Sequence, residues 1–269
     1  WQKFKHLREL GSFLAKFGYA LVKINNTPKA VSDEVYAKGR KILAKITPDN
    51  IILNGPFKGI IYTQHNITEA TLVPKLVGSY ESQLHQVIEE IITKPYTDIL
   101  DVGCAEGYYA IGLANRMKDT LVHCYDINEA DIEICKNIAR LNHLENLTYN
   151  NFCSPETLIN FNFKQKGLVF CDAEGYEMEL FTTDVINALK KHDFLIEVHD
   201  IINPASSNTL YERISATHSI RVFNNRNLDH SGYQGLSQLT EAERAFAFFE
   251  HRGGYNMNVH MEWFYITAK

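Results

Sequence analysis

Residues 99–110 read Ile99-Leu100-Asp101-Val102-Gly103-Cys104-Ala105-Glu106-Gly107-Tyr108-Tyr109-Ala110. The run is an apolar strand, a turn bearing two glycines, and the start of a helix. A strand that enters a helix through such a turn opens a doubly wound sheet, in which ligands bind in the crevice outside the carboxyl ends of the strands. Glycine at 103 and 107 allows the backbone to approach a ligand where a β-carbon would clash.

Downstream, strands and helices alternate. Asp98–Val102 is followed by a helix over Ala110–Arg116, Leu121–Ile127 by a helix over Ala130–Leu141, and then comes a strand over Leu147–Phe152. Leu168–Asp172 is followed by a helix over Met178–Leu189 and a strand over Phe194–Val198. Alternation at this spacing predicts a mostly parallel sheet with helices on both faces. Ser219–Phe223 and Met261–Ala268 read as further strands, and Thr240–Phe249 as a helix with a Thr240-x-x-Glu243 capping box.

Upstream, a helix is predicted over Ser79–Thr93, with Leu84, Val87, Ile88 and Ile91 on one face and Pro95 beyond its end. Apolar residues at helical spacing predict two helices before residue 46, one with Phe4, Leu7, Leu10 and Leu14, the other with Val35, Ile42, Leu43 and Ile46, split around Asn25–Pro28. Ile51–Thr63 is β-like around Asn54-Gly55-Pro56 and predicts a small hairpin or lid. The organisation is therefore an N-terminal helical and hairpin extension or cap over residues 1–78. A larger domain over 79–269 follows, with an inserted loop near 224–256.

The composition supports a folded globular protein. Of 269 residues, 45% are hydrophobic and 22% charged, and the formal net charge is −5. That balance gives no field for holding polyphosphate, so no nucleic-acid partner is expected. No apolar stretch approaches the ~20 residues that span a bilayer, so no membrane association is expected either. Cys104, Cys124, Cys135, Cys153 and Cys171 form neither a CxxC motif nor a Cys/His cluster. They read as free thiols of a reducing, cytoplasmic compartment. Homo-oligomerisation is left open.

The acids around the first turn bear on the ligand. Pyrophosphate requires amide donors without a nearby acid, whereas S-adenosylmethionine (SAM) carries a sulfonium and an ammonium. Asp101 and Glu106 flank the turn, whose spacing is G-x-x-x-G and not the G-x-G-x-x-G of dinucleotide binders. The next strand ends in Cys124-Tyr125-Asp126, where an acid can accept the ribose hydroxyls. Asp101, Gly103, Cys104, Ala105, Glu106, Gly107, Tyr108, Asp126 and Ile127 are thus the expected cofactor contacts. Asn151 or Cys153 is expected at the adenine edge, and Asp172 at the crevice.

The Asp101–Tyr109 run resembles motif I of the class I SAM-dependent methyltransferases. Asp172-Ala173-Glu174-Gly175-Tyr176-Glu177 resembles the D-x-E-G-x-E signature of the FkbM-like branch, and Phe194–His199 its following L-x-E-h strand. The resemblance covers roughly Ser79 to His199. It implies an α/β, Rossmann-like class I methyltransferase fold with a seven-stranded, mostly parallel sheet whose last strand is antiparallel. It further implies O-methylation of hydroxyls on sugars and secondary metabolites, with S-adenosylhomocysteine as product. Cys104-Ala105 stands where many relatives have Ala-Asn, so contacts from that turn can differ in detail.

An alcohol acceptor requires a base as it attacks the methyl group. Asp172 and Glu174 leave the fourth strand at the crevice, and Glu197 and His199 leave the fifth, on the same side of it. His199 is the expected base, with a pKa near ~6.5 if unperturbed, and Asp172 and Glu174 are the expected catalytic partners. A divalent metal on these four residues is the less favoured alternative, and no metal ligand is assigned. Arg252, His230, Tyr233 and Tyr255 are candidate acceptor contacts. The competing functions are an NAD-dependent oxidoreductase, a methyltransferase acting on a protein or nucleic acid, and a catalytically silent SAM-fold module.

Overall fold

A computed structural model describes residues 33–63, 71–200, 202–224, 231–250 and 262–269. The first predicted helix, with Phe4 to Leu14, lies outside them, as do His230, Arg252 and Tyr255.

Seven strands make one sheet: β1 Asp98–Val102, β2 Leu121–Tyr125, β3 Leu147–Asn150, β4 Gly167–Cys171, β5 Asp193–Val198, β6 His218–Phe223 and β7 Glu262–Ala268, in the order β3-β2-β1-β4-β5-β7-β6. β1 pairs in parallel with β2 and β4, β2 with β3, and β4 with β5. β7 runs antiparallel to both β5 and β6. The order reverses between β1 and β4, where a Rossmann-like sheet opens its ligand crevice.

Ten α-helices are described. α1 Asp33–Ile46, α2 Leu72–Val77, α3 His85–Ile92, α4 Tyr108–Arg116, α5 Glu129–Leu141 and α10 Glu241–Phe248 send side chains into one core, with Ile99, Leu168, Phe170, Leu195, Trp263 and Tyr265. α6 Pro155–Asn160, α7 Glu177–Leu180, α8 Thr183–Ala188 and α9 Ser206–Ser215 enter the second core, with Leu100, Val169, Phe194, Ile196, Phe264 and Ile266. Strand residues therefore alternate between the two cores, as the two-residue period of a strand requires. Among the described residues no helix is long and apolar enough to cross a membrane.

Several predicted elements differ in detail. The helix predicted from Ser79 begins as a single 3-10 turn at Ser82–Leu84, because Glu81 takes a left-handed conformation (φ 46°) with its side chain fully buried. The predicted Met178–Leu189 helix is two helices. Thr182 leaves helical geometry and caps Val185, its Oγ1 accepting from that amide at 3.3 Å. Helices α2, α6 and α9 were not predicted. The Thr240–Glu243 capping box is formed as expected.

In the N-terminal extension the predicted hairpin reduces to one antiparallel bridge, Ile51 with Ile61. The segment is packed down rather than free-standing. Phe57 lies edge-on to Tyr108 and Tyr109 of α4, and a β-carbon on Gly112 would strike its ring. The extension thus shares one core with the sheet and forms the wall beside the β1–α4 turn.

Candidate active site

The β1–α4 turn is held by the end of β2. The amides of Gly103 and Cys104 donate to the Tyr125 carbonyl at 2.9 and 3.1 Å. The amide of Ala105 donates to Asp126 Oδ2, and that of Asn128 to Asp126 Oδ1, each at 2.8 Å. Gly103, Ala105 and Gly107 have φ of 80°, 46° and 91°. A β-carbon on Gly103 would overlap the carbonyl of Asp172, so this glycine is needed where β1 and β4 part.

Asp101 is 1% exposed, and its Oδ2 makes no hydrogen bond. Burial, and then the charge of Asp126, push its carboxyl up to about 8, while the amide of Ala110 works the other way. Glu106, also expected at the ligand, makes contacts within the protein. Its buried carboxylate pairs with Lys75 and accepts from Tyr62 at 2.5 Å, both from the extension. It therefore fastens the wall to the turn, and the acidic character left to the ligand rests on Asp101 and Asp126. Tyr108 is buried under Lys75 and Tyr80. Cys104 is buried beside Ala105, and Cys153 is 2% exposed within the second core. Ile127, 60% exposed, and Asn151 remain open to solvent on the β2 and β3 exits. All five cysteines are free and buried.

Across the switch point, Asp172, Glu174 and His199 come together. His199 Nε2 lies 3.6 Å from Asp172 Oδ1, 3.5 Å from Glu174 Oε2 and 3.5 Å from Glu197 Oε2. His199 Nδ1 lies 2.9 Å from Glu177 Oε1, which also accepts from the amides of Ala173 and Gly175 at 3.2 and 3.1 Å. An ionised carboxylate only accepts, so Nδ1 carries the hydrogen and Nε2 faces the acids. Glu174 and Gly175 both have positive φ, 50° and 99°, which turns the D-x-E-G-x-E segment tightly back over β5.

Burial opposes a charged imidazole, but Glu177, Glu197 and Glu174 outweigh it and raise the His199 pKa above its ordinary value. Asp172 is held well above the carboxylate range by desolvation and then by Glu197, with which it shares a hydrogen bond. Glu177 and Lys75 were not assigned roles from sequence. The spacing of D-x-E-G-x-E could have drawn attention to Glu177, whereas no local signal marks Lys75.

Residues 93–153 match the family model described as a methyltransferase domain, a segment running from the end of α3 through the turn to Cys153. Among solved structures, a putative O-methyltransferase from Klebsiella pneumoniae is 10% identical, covers 97% of each chain and has a TM-score of 0.45. The O-methyltransferase TomG from Streptomyces achromogenes, involved in tomaymycin synthesis and solved in complex with SAM, is 9% identical over 89% of this chain and 92% of its own, with a TM-score of 0.45. An rRNA methylase from Streptococcus thermophilus is 10% identical over 69% of this chain and 96% of its own, with a TM-score of 0.46. The strand order and the matched segment define the class: a Rossmann-like methyltransferase fold.

The site's chemistry fits SAM. A buried acid with an unpartnered oxygen beside a glycine turn suits a ligand bearing positive charge, and Asp126 at the end of β2 retains lone pairs for a ribose diol.

Proposed function

We propose that this protein is a SAM-dependent O-methyltransferase whose acceptor is a hydroxyl of a small molecule, with a sugar or glycosylated metabolite as the favoured class. SAM supplies an electrophilic methyl group on a sulfonium. Asp101 and Asp126 hold the cationic and ribose parts, with Gly103 to Gly107 as the floor. The observation that carries the acceptor side is the Asp172–Glu174–His199 cluster, across the β1/β4 switch point from Asp101. The acceptor oxygen bonds to the methyl carbon, the carbon–sulfur electron pair stays on sulfur, and the hydroxyl proton leaves to this cluster. The FkbM-like D-x-E-G-x-E run at Asp172–Glu177 supports a hydroxyl on a sugar or secondary metabolite.

The test has two stages. Calorimetric titration should give saturable binding of SAM and S-adenosylhomocysteine and none of NAD. Tritiated methyl transfer should then label polyhydroxylated small molecules and not RNA or protein. Binding of NAD without SAM would overturn the cofactor reading, and label in RNA or protein alone would overturn the acceptor reading.

A further inference from the structure

Three carboxyl groups face one ring nitrogen of His199, more than a proton acceptor requires. Its Nε2 is surrounded by Asp172, Glu174 and Glu197, all between 3.5 and 3.6 Å away. We propose that Asp172, Glu174 and His199 form a site for one divalent cation of the Mn²⁺ or Zn²⁺ class, which receives the acceptor hydroxyl. The proposal deepens the methyl-transfer reading and rests on it.

Three observations converge. One ligand atom from each of the three residues lies within 4.8 Å of the other two. Ligands bonded at about 2.0–2.2 Å to a shared ion sit roughly 3–3.5 Å apart, so the spacing from Nε2 to the two carboxylates needs little adjustment. Second, His199 is 1% exposed and its Nε2 makes no hydrogen bond, although the other ring nitrogen is satisfied by Glu177. A buried imidazole nitrogen that makes no hydrogen bond is costly, and its lone pair would be used by a bound cation. Third, Asp172 Oδ1 is likewise buried and makes no hydrogen bond.

The surroundings match a metal site in kind. The bond from Nδ1 to Glu177 is the carboxylate–histidine arrangement that orients a metal-ligating imidazole and fixes its tautomer. An imidazole with two carboxylates favours first-row ions such as Mn²⁺ and Zn²⁺ over Ca²⁺, which prefers oxygen alone. Glu174 is 70% exposed at its side chain and Asp172 25%, so an ion has an entry path and keeps coordination positions open to the crevice. A hydroxyl bound there ionises more readily at neutral pH than a free alcohol. His199 then acts as a ligand, and the proton leaves to solvent or to Glu197 on the remaining side.

The experiment uses the full chain, freed of metal with EDTA and titrated with MnCl₂ by calorimetry and electron paramagnetic resonance, then with ZnCl₂ and CaCl₂. One Mn²⁺ or Zn²⁺ site should appear, with Ca²⁺ weaker. Glu174→Gln, a change at an exposed side chain, should weaken it at least about tenfold, and His199→Gln should abolish it. Glu133→Gln, at an exposed residue of α5 paired with Lys136, should leave it unchanged. No saturation by Mn²⁺ or Zn²⁺ up to millimolar concentration overturns the proposal, as does undiminished binding in both site variants when circular dichroism shows them folded. S-adenosylhomocysteine is titrated separately. If it binds and the metals do not, the cation site falls and the methyl-transfer reading stands; if the metals bind and it does not, the cation site stands and the methyl-transfer reading falls.

Discussion

Glu177 Oε1 accepts a hydrogen bond from His199 Nδ1 at 2.9 Å while gathering the amides of Ala173 and Gly175, so one carboxylate oxygen joins the β4 exit turn to the end of β5. The contact decides which imidazole nitrogen faces the crevice. Glu177→Gln keeps the shape, but its amide can present NH₂ in place of an acceptor. The expected result is a mixture of imidazole tautomers and a lower His199 pKa, because an anion that holds the proton is gone. Nitrogen-15 NMR of labelled histidine reads both. A single unchanged tautomer with an unchanged titration would show that Glu177 does not orient His199.

Gly103 is constrained by protein rather than by ligand. The sequence places a side chain at 103 in the ligand's space, but the structure puts the carbonyl of Asp172 there, and φ is 80°. Gly103→Ala is therefore expected to destabilise the fold by at least about 3 kcal/mol, and Gly103→Val to prevent folding. Urea denaturation of the alanine variant checks this. Native stability with lost SAM binding would return the constraint to the ligand.

The pair of Lys75 and Glu106 is buried on both sides, with side chains 6% and 3% exposed. Removing only the cation leaves a buried carboxylate supported by the Tyr62 hydroxyl. Lys75→Met should cost about 3–5 kcal/mol, and adding Glu106→Gln should recover most of it. Chemical denaturation of the two single variants and the double closes the cycle. Additive losses would mean that the pair is not coupled.

Asp126 spends its two oxygens on the amides of Ala105 and Asn128, so it shapes the turn as well as any ribose contact. Asp126→Ala should weaken SAM by about 1–3 kcal/mol without unfolding the chain. Part of that loss comes from a looser turn. Calorimetry giving unchanged affinity would remove Asp126 from the site.

What could be read from sequence follows the range of the interactions. The β1 strand and its turn were legible because apolar runs and glycines are local signals, and the strand–helix alternation carried the sheet with them. The break between α7 and α8 was not, since Met178 to Leu189 keeps a helical period and only the Thr182 cap interrupts it. Asp172, Glu174 and His199 were grouped correctly because parallel strands bring their carboxyl ends together. The partners of Glu106 were not legible for the opposite reason: Lys75 and Tyr62 stand 31 and 44 residues away, and nothing local indicates that a wall of the extension captures that acid.

Asp101 couples SAM binding to pH. Without ligand its carboxyl is pushed up to about 8 from 3.8 by burial and by Asp126, so it is largely protonated at neutral pH. A cationic ligand binds the ionised form better, so binding should release a proton below about pH 8. Affinity should climb with pH towards that value. Above it the gain ends, and deprotonation of the ligand's own α-amino group, near ~7.7–8.0, reverses the trend. The free protein shows the counterpart. Because the folded-state pKa is raised, the unfolded chain binds fewer protons between 3.8 and about 8, and this group's contribution to stability falls as pH rises through that window. Asp101→Asn removes the titration. It should flatten that part of the stability profile, leave the free protein more stable near pH 8, and weaken SAM binding at the same pH. Calorimetry of SAM binding in buffers of different ionisation enthalpy counts the protons released, and thermal melts of both proteins across pH read the stability side. Equal proton release in wild type and Asp101→Asn would place the linkage on another group.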